Sequence, residues 1–477
     1  MSIQRQFSSG VAWMAAGNWL EQAINFGVFV LLARILGAAA FGLLAMAAAF
    51  VLFSEFLVRD SFSDFLIAHE NPAPEHFNAT FWMLASLGAL LSAILLLAAG
   101  PIATFYGQAE VRGLIMGLSP TVLMIALTAV PVTILRRELR FRTLSMRAVA
   151  GVLVGGIVAV SMALNGFGVW SLAGQRLAQV FTNIVMAWAA VKWRPGGSTS
   201  MRHCRDVFRF GGAVLGLRAA ELAAIQLPSI IIGAVLGPAV LGFFSIAWRL
   251  VEIGSFLIVT PLRMAAQPAF AAITRSGAAA SELLVDISRL SGMVAFPAFA
   301  GLSVLSVPVI ALLFGEKWVA AAPILSVLSV LGVYFCIEKI NQAFCLAAGR
   351  AGPTAALAWA ETSLAAVLVW ALSFAGVTAM AAGLVSAFLL LWVVRFRIVG
   401  AVAKAGAWEL ARCHVLPLLG SALMAGAVYF VLGLVGSFSA LGQVLVGTVT
   451  GAAIYSVFTL MFMFNRLGIV KGWLQPG

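Results

Sequence analysis

Glu21, Arg176, Arg218, Glu221, Arg249, Glu252, Glu338, Lys339 and Glu361 all stand inside segments that are otherwise hydrocarbon-like. A charge near the centre of a bilayer costs at least ~2.5–3.5 kcal/mol on insertion scales, so each needs a partner or a watery cavity. Asn18, Glu21, Gln22 and Asn25 follow i, i+3, i+4, i+7 spacing and make one polar stripe along a helix. Arg218 and Glu221, and again Arg249 and Glu252, are i, i+3 neighbours able to pair locally. Glu338, Lys339, Asn341 and Gln342 crowd a further segment, Arg176 is flanked by Gln175 and Gln179, and Glu361 stands alone. Two chemistries are open to this set. The pairs could neutralise each other and only hold helices in register. Alternatively, Arg176, Arg218, Arg249 and Lys339 attract an anionic group in a hydrophilic cavity. Asn18, Glu21, Asn25, Glu221, Glu252, Glu338 and Glu361 then line it or take a coupling proton or cation. The cavity reading is favoured for the collection, because an inert bundle would omit these residues. Glu21 and Glu338 are the better proton sites, having no sequence-local base except Lys339.

The elements that must carry these groups are transmembrane helices. With 62% hydrophobic and 10% charged residues and a mean hydropathy of +1.06, a chain of 477 residues cannot stay in water as a monomeric globule. Apolar runs of helix-spanning length recur throughout, and the short alternating segments of a membrane barrel are absent. The pattern predicts an all-α polytopic protein of fourteen helices, near 10–36, 41–58, 78–99, 112–135, 148–164, 169–190, 211–235, 240–261, 290–314, 321–346, 354–375, 379–394, 416–436 and 441–464. With the N-terminus inside, the cytoplasmic segments, Arg395 and Arg397 among them, hold 22 Lys and Arg, while the outer loops hold only Arg112 and Lys317. That asymmetry places both termini in the cytoplasm. Arg34, near a helix end, is expected to snorkel to the interface.

The chain echoes itself. Residues 36–47 (LGAAAFGLLAMA) and 236–247 (LGPAVLGFFSIA) share five of twelve positions, and at the same offset Glu21 falls on Glu221. Pro101 and Phe105-Tyr106-Gly107 parallel Pro308 and Leu313-Phe314-Gly315 at an offset of 207–208. Helices 1–6 and 7–12 therefore read as two parallel six-helix repeats. The expected division is 1–191 as the first lobe, 192–210 as an Arg-rich cytoplasmic linker, 211–398 as the second lobe, and 399–477 as two appended C-terminal helices.

Other function classes fit poorly. The net charge of +12 is spread over many short loops and serves orientation, so nucleic acid is not an expected partner. Some of it can meet membrane lipid headgroups. The four cysteines are scattered and read as reduced structural thiols, with no metal or disulfide framework. All four histidines fall in predicted cytoplasmic loops, no P-loop, HExxH or CxxC pattern occurs, and the outer loops are short. The chain is therefore not expected to be an enzyme or to hold a cofactor.

Five landmarks, in order along helices 1–10, carry a resemblance. They are Leu32-Ala33-Arg34-Ile35-Leu36-Gly37 with Phe41-Gly42; Phe81-Trp82; Leu135-Arg136-Arg137-Glu138-Leu139-Arg140-Phe141-Arg142; Gly166-Phe167-Gly168-Val169-Trp170-Ser171-Leu172; and Phe314-Gly315-Glu316-Lys317-Trp318. Together they resemble Wzx-type polysaccharide flippases of the PST family in the MOP superfamily. The resemblance implies a MATE-like two-lobed V with alternating access in the bacterial inner membrane. It implies an undecaprenyl-diphosphate-linked oligosaccharide as substrate, for exopolysaccharide or lipopolysaccharide biosynthesis. It also implies a polysaccharide polymerase and export machinery as partners. With no ATP site, an ion gradient is the expected drive. The alternatives are a multidrug and toxin extrusion cation antiporter, which should prefer an acidic cavity, a peptidoglycan lipid-precursor flippase, and a non-transporting scaffold of a glycan-assembly complex, which would need no buried charges.

Overall fold

The fold was described from a computed structural model covering residues 3–59, 62–69, 72–197, 201–276 and 281–462. Among the described residues regular structure is helical throughout, and eleven helices are long and apolar enough to cross a membrane. The protein is a multi-pass membrane protein. Only helices can satisfy their own backbone in hydrocarbon without closing a barrel.

The chain forms two compact units, Met1–Gly242 and Phe243–Gly477. The first contains α1 (Ile3–Ile35), α2 (Ala38–Arg59), the short α3 (Asp64–Ala68), α4 (Pro74–Tyr106), α5 (Ala109–Leu118), α6 (Pro120–Arg137), α7 (Phe141–Leu164), α8 (Trp170–Ala190) and the start of α9 (Met201–Ser276). The second contains the rest of α9, α10 (Ser281–Val304), α11 (Ser306–Phe314), α12 (Ala322–Ala347), α13 (Ala351–Ala371), α14 (Val377–Ala403), α15 (Ala407–Arg412), α16 (Val415–Leu434) and α17 (Ala440–Phe462).

Breaks inside the apolar runs have local causes. The segment expected as one helix over 112–135 divides at Ser119, because Pro120 has no N–H to give the Met116 carbonyl. Ser119 Oγ donates to that carbonyl instead (3.0 Å), and Ser92 Oγ donates to the Ser119 carbonyl (2.9 Å). Both repairs keep a backbone oxygen satisfied where water is scarce. The run expected over 290–314 divides likewise at Leu305. Both copies of the echo at Phe105-Tyr106-Gly107 and Leu313-Phe314-Gly315 end a helix at a positive-φ glycine, Gly107 (63°) after α4 and Gly315 (93°) after α11.

The 200-residue echo meets itself in space. A Cβ on Gly42 would overlap the carbonyl of Pro238, and a Cβ on Gly242 would overlap the carbonyl of Ala38. The four positions exchange under the same offset of 200 that relates the two sequences. Backbones come this close in a membrane only where side chains are absent. The break in α9 at Gly237 (φ 81°) brings Pro238 to that contact.

Small residues also let α1, α7 and α8 close up. A Cβ on Gly17 would press on Ser145, one on Gly151 on Asn183, and one on Gly156 on Val28. This packing sets three polar helix faces against a common space.

Candidate functional site

That space is a cavity of 410 Å³ in the first unit, walled by α1, α2, α6, α7 and α8. Asn18 and Glu21 of the α1 stripe line it, while Gln22 and Asn25 do not. Opposite them stand Arg59, Arg136, Arg147 and Arg176, with Gln179 and Asn183. Glu21 lies within electrostatic reach of Arg147 and Arg59. Four guanidinium groups therefore face one lining carboxylate, which suits an anion with several oxygens.

Behind the wall sits an acid that the sequence reading passed over. Glu55 on α2 is 1% exposed and accepts a hydrogen bond from Arg176 of α8. The Thr121 hydroxyl donates to its other oxygen (2.7 Å), and Arg59 lies 3.8 Å away one turn along α2. Arg176, expected as a substrate cation, is thus both a cavity residue and half of a buried pair. The useful signal for Glu55 was its place in an apolar run four residues before Arg59. Thr121→Val is expected to cost roughly 1.5–3 kcal/mol, as a hydrogen bond to a buried charge is lost. A thermal melt of the purified protein unchanged from wild type would refute that role for Thr121.

The Leu135–Arg142 motif divides its work. Arg136 faces the cavity, whereas Arg137 donates to the carbonyls of Leu66 and His69. Arg140 donates to the Ala190 carbonyl (2.8 Å) at the end of α8, and Arg142 lies over the Trp13 ring (5.4 Å). Two of the four bases brace helix ends, one covers an aromatic ring, and one reaches the site.

In the second unit, Glu338 on α12 and Glu361 on α13 converge on one base, Arg395 of α14. Tyr334 donates to Glu361 (2.9 Å), and its ring packs on Trp392 and Phe388. Glu361 and Arg395 are 2% and 3% exposed. Hydropathy ends that helix at residue 394 and so places Arg395 in a cytoplasmic segment. Instead, α14 continues to Ala403 and carries Arg395 into the core, where two carboxylates offset its charge. His414, also expected in a cytoplasmic loop, is buried together with Cys413 at the junction of α15 and α16.

The remaining candidates are dispersed. Arg249 and Glu252 form the local i, i+3 pair (2.7 Å) on a partly exposed surface of α9. Lys339 donates to Gln342 (3.3 Å), and Asn25 is half-buried on α1. The side chains of Arg218 and Glu221 lie outside the described residues. Among the described residues no group of three or more His, Cys, Asp or Glu could hold a metal ion.

The polysaccharide biosynthesis protein family matches residues 31–323, well over half of the chain. The chain belongs to that family. Its relatives include the succinoglycan biosynthesis transport protein ExoT of Rhizobium meliloti (strain 1021), 25% identical over 94% of this chain and 92% of the relative. The teichuronic acid biosynthesis protein TuaB of Bacillus subtilis (strain 168) is 28% identical over 73% of each chain. The lipopolysaccharide biosynthesis protein WzxC of Escherichia coli (strain K12) is 23% identical over 70% of this chain and 68% of the relative. In fold, this family member resembles the lipid II flippase MurJ in its inward closed conformation. The TM-score is 0.77 at 12% identity, covering 95% of this chain and 99% of that one. An inward-facing MATE transporter of the MOP superfamily superposes with a TM-score of 0.56 at 18% identity, covering 85% and 96%.

Proposed function

We propose that this protein is a flippase that carries a lipid-linked oligosaccharide across the bacterial inner membrane by alternating access, for exopolysaccharide or lipopolysaccharide biosynthesis. The observation that carries the reading is the cavity with Arg59, Arg136, Arg147 and Arg176 on its wall. A diphosphate cannot cross hydrocarbon unaided, and guanidinium groups give it bidentate hydrogen bonds in place of water. Asn18, Gln179 and Asn183 offer amide groups for sugar hydroxyls. Kinship with a transport protein for succinoglycan, and with teichuronic acid and lipopolysaccharide biosynthesis proteins, supports this class of cargo.

Within this reading the fourteen helices form two parallel six-helix lobes, 1–191 and 211–398, with 192–210 as linker, 399–477 appended and both termini cytoplasmic. The substrate cations are Arg176 with Arg59, Arg136 and Arg147; Arg218, Arg249 and Lys339 keep a secondary place. Glu21 is the cavity carboxylate placed to exchange a proton with the gradient that drives transport, and Glu338 and Glu361 hold the second lobe's charge network. The protein's role is transport rather than catalysis, in step with a polymerase and export machinery.

The test is complementation of an export-deficient strain. Arg136→Ala and Arg147→Ala are each expected to lower secreted polymer about tenfold, the effect of one lost charge-assisted contact, at unchanged membrane levels of protein. Lipid-linked saccharide should then accumulate on the cytoplasmic face. Normal export by the double variant would overturn the assignment. A multidrug antiporter would instead show altered sensitivity to organic cations with polymer output untouched.

A further inference from the structure

Two clefts of the second unit lie end to end along one stripe of α10, the stripe running through Val285, Arg289, Gly292, Phe296 and Phe299. The lower cleft, 470 Å³, is bounded by Arg289 and by Trp408, Glu409 and Arg412 of α15. The upper cleft, 540 Å³, is walled by apolar side chains of α10, α12, α14 and α16, such as Phe299, Val333 and Leu418. His414 marks the level between them. It lines the upper cleft, packs against Gly292 and lies between the rings of Phe296 and Phe396.

His414 is 6% exposed, and neither of its ring nitrogens has a hydrogen-bond partner among the described residues. Nε1 of Trp392, on the same wall, is in the same condition. A buried donor left unsatisfied is costly, so native structures almost always supply it an acceptor. In the lower cleft Arg289 is engaged with Asp286 (3.0 Å), whereas Arg412 and Glu409 hold no ion pair among the described residues. Trp408 beside them is 72% exposed at the start of the apolar span Ala407–Leu434, the place of an interfacial anchor.

An open cation and an open anion at the interface, below buried donors and an apolar cleft, match one kind of molecule. We propose that this pair of clefts is a binding site for a zwitterionic phospholipid with a primary ammonium headgroup. Its phosphate sits on Arg412 and its ammonium on Glu409. A glycerol-ester carbonyl accepts from His414 or Trp392, and one acyl chain fills the upper cleft. A purely anionic headgroup would leave Glu409 facing a like charge. The site is independent of the cavity proposed for the cargo, and its lipid would fasten α15 and α16 to α10.

The test is native mass spectrometry of the full-length protein in mild detergent, with phosphatidylethanolamine, phosphatidylglycerol and a polyprenyl diphosphate in equimolar competition. Wild type should retain one phosphatidylethanolamine in preference to the others. Arg412→Ala and Glu409→Gln, both at exposed positions, should each weaken retention about tenfold. His414→Phe, which keeps an aromatic ring but removes both ring nitrogens, should weaken it as well. The proposal is overturned if phosphatidylglycerol or the polyprenyl diphosphate is retained more strongly by wild type. It is equally overturned if Arg412→Ala and Glu409→Gln hold phosphatidylethanolamine as wild type does. The wild-type competition decides the matter even if a variant fails to fold.

Discussion

Arg395→Leu is expected to destabilise the second unit by about 3–5 kcal/mol, the cost of removing one partner from a buried ion pair. The guanidinium of Arg395 is the group on which Glu338 and Glu361 converge, from helices 57 and 34 residues away in sequence. Without it two carboxylates confront each other in a region from which water is largely excluded, beside a phenol whose hydroxyl already points at Glu361. The expected result is a sharp fall in monodisperse protein after extraction and a lower melting temperature. The double variant Arg395→Leu/Glu361→Leu removes charges of both signs and should recover part of the loss, because apolar replacement of a whole buried pair is often near neutral. If Arg395→Leu melts with wild type, the network does not hold these three helices together. If the double variant regains stability but not polymer export, the network acts in transport as well as in folding.

The second large effect is steric. Gly42→Val and Gly242→Val each place a branched side chain where the structure has the carbonyl of Pro238 or of Ala38. Backbone cannot step aside as a side chain can, and overpacking a tight contact typically costs about 1–3 kcal/mol. Export is expected to drop roughly tenfold or more for each, since about 1.4 kcal/mol is a factor of ten in a population. Both variants should still insert, because valine is as apolar as the segment around it. Gly37→Ala is the control: a Cβ there meets nothing within 4 Å, and it should export normally. Wild-type export from both valine variants would show that the close approach of the echo segments has no part in function. The reciprocal 42–238 and 242–38 contacts also give the sequence echo a physical reason. Two copies of one motif that pack on each other must both keep the residue that lets backbones touch.

How much of this was legible beforehand depended on the range of the interaction. Helical membrane architecture follows from hydropathy, which is local, and the landmarks from Leu32 to Trp318 pointed to the family that matches residues 31–323. Of the four polar residues spaced along α1, Asn18 and Glu21 line the cavity and Gln22 and Asn25 do not, while the Arg249–Glu252 pair follows its i, i+3 register. The partners of Arg176, Glu338 and Glu361 were not readable. Glu55 is 121 residues from Arg176, and a single acid in an apolar run carries no mark of which helix will face it. Arg395 was misplaced because hydropathy weakens where a helix carries charges, whereas α14 continues through Arg395 and Arg397 to Ala403, with Arg395 held by two carboxylates. Arg136, Arg137, Arg140 and Arg142 look alike in sequence, yet one lines the cavity and three hold helix ends and a ring. Composition and period alone thus determined that the chain spans the membrane as helices with acids and bases inside. Tertiary structure alone decided which of those charges meet each other and which also line a cavity. Desolvation makes every buried charge seek a partner, and only the packing of distant helices determines which one it meets.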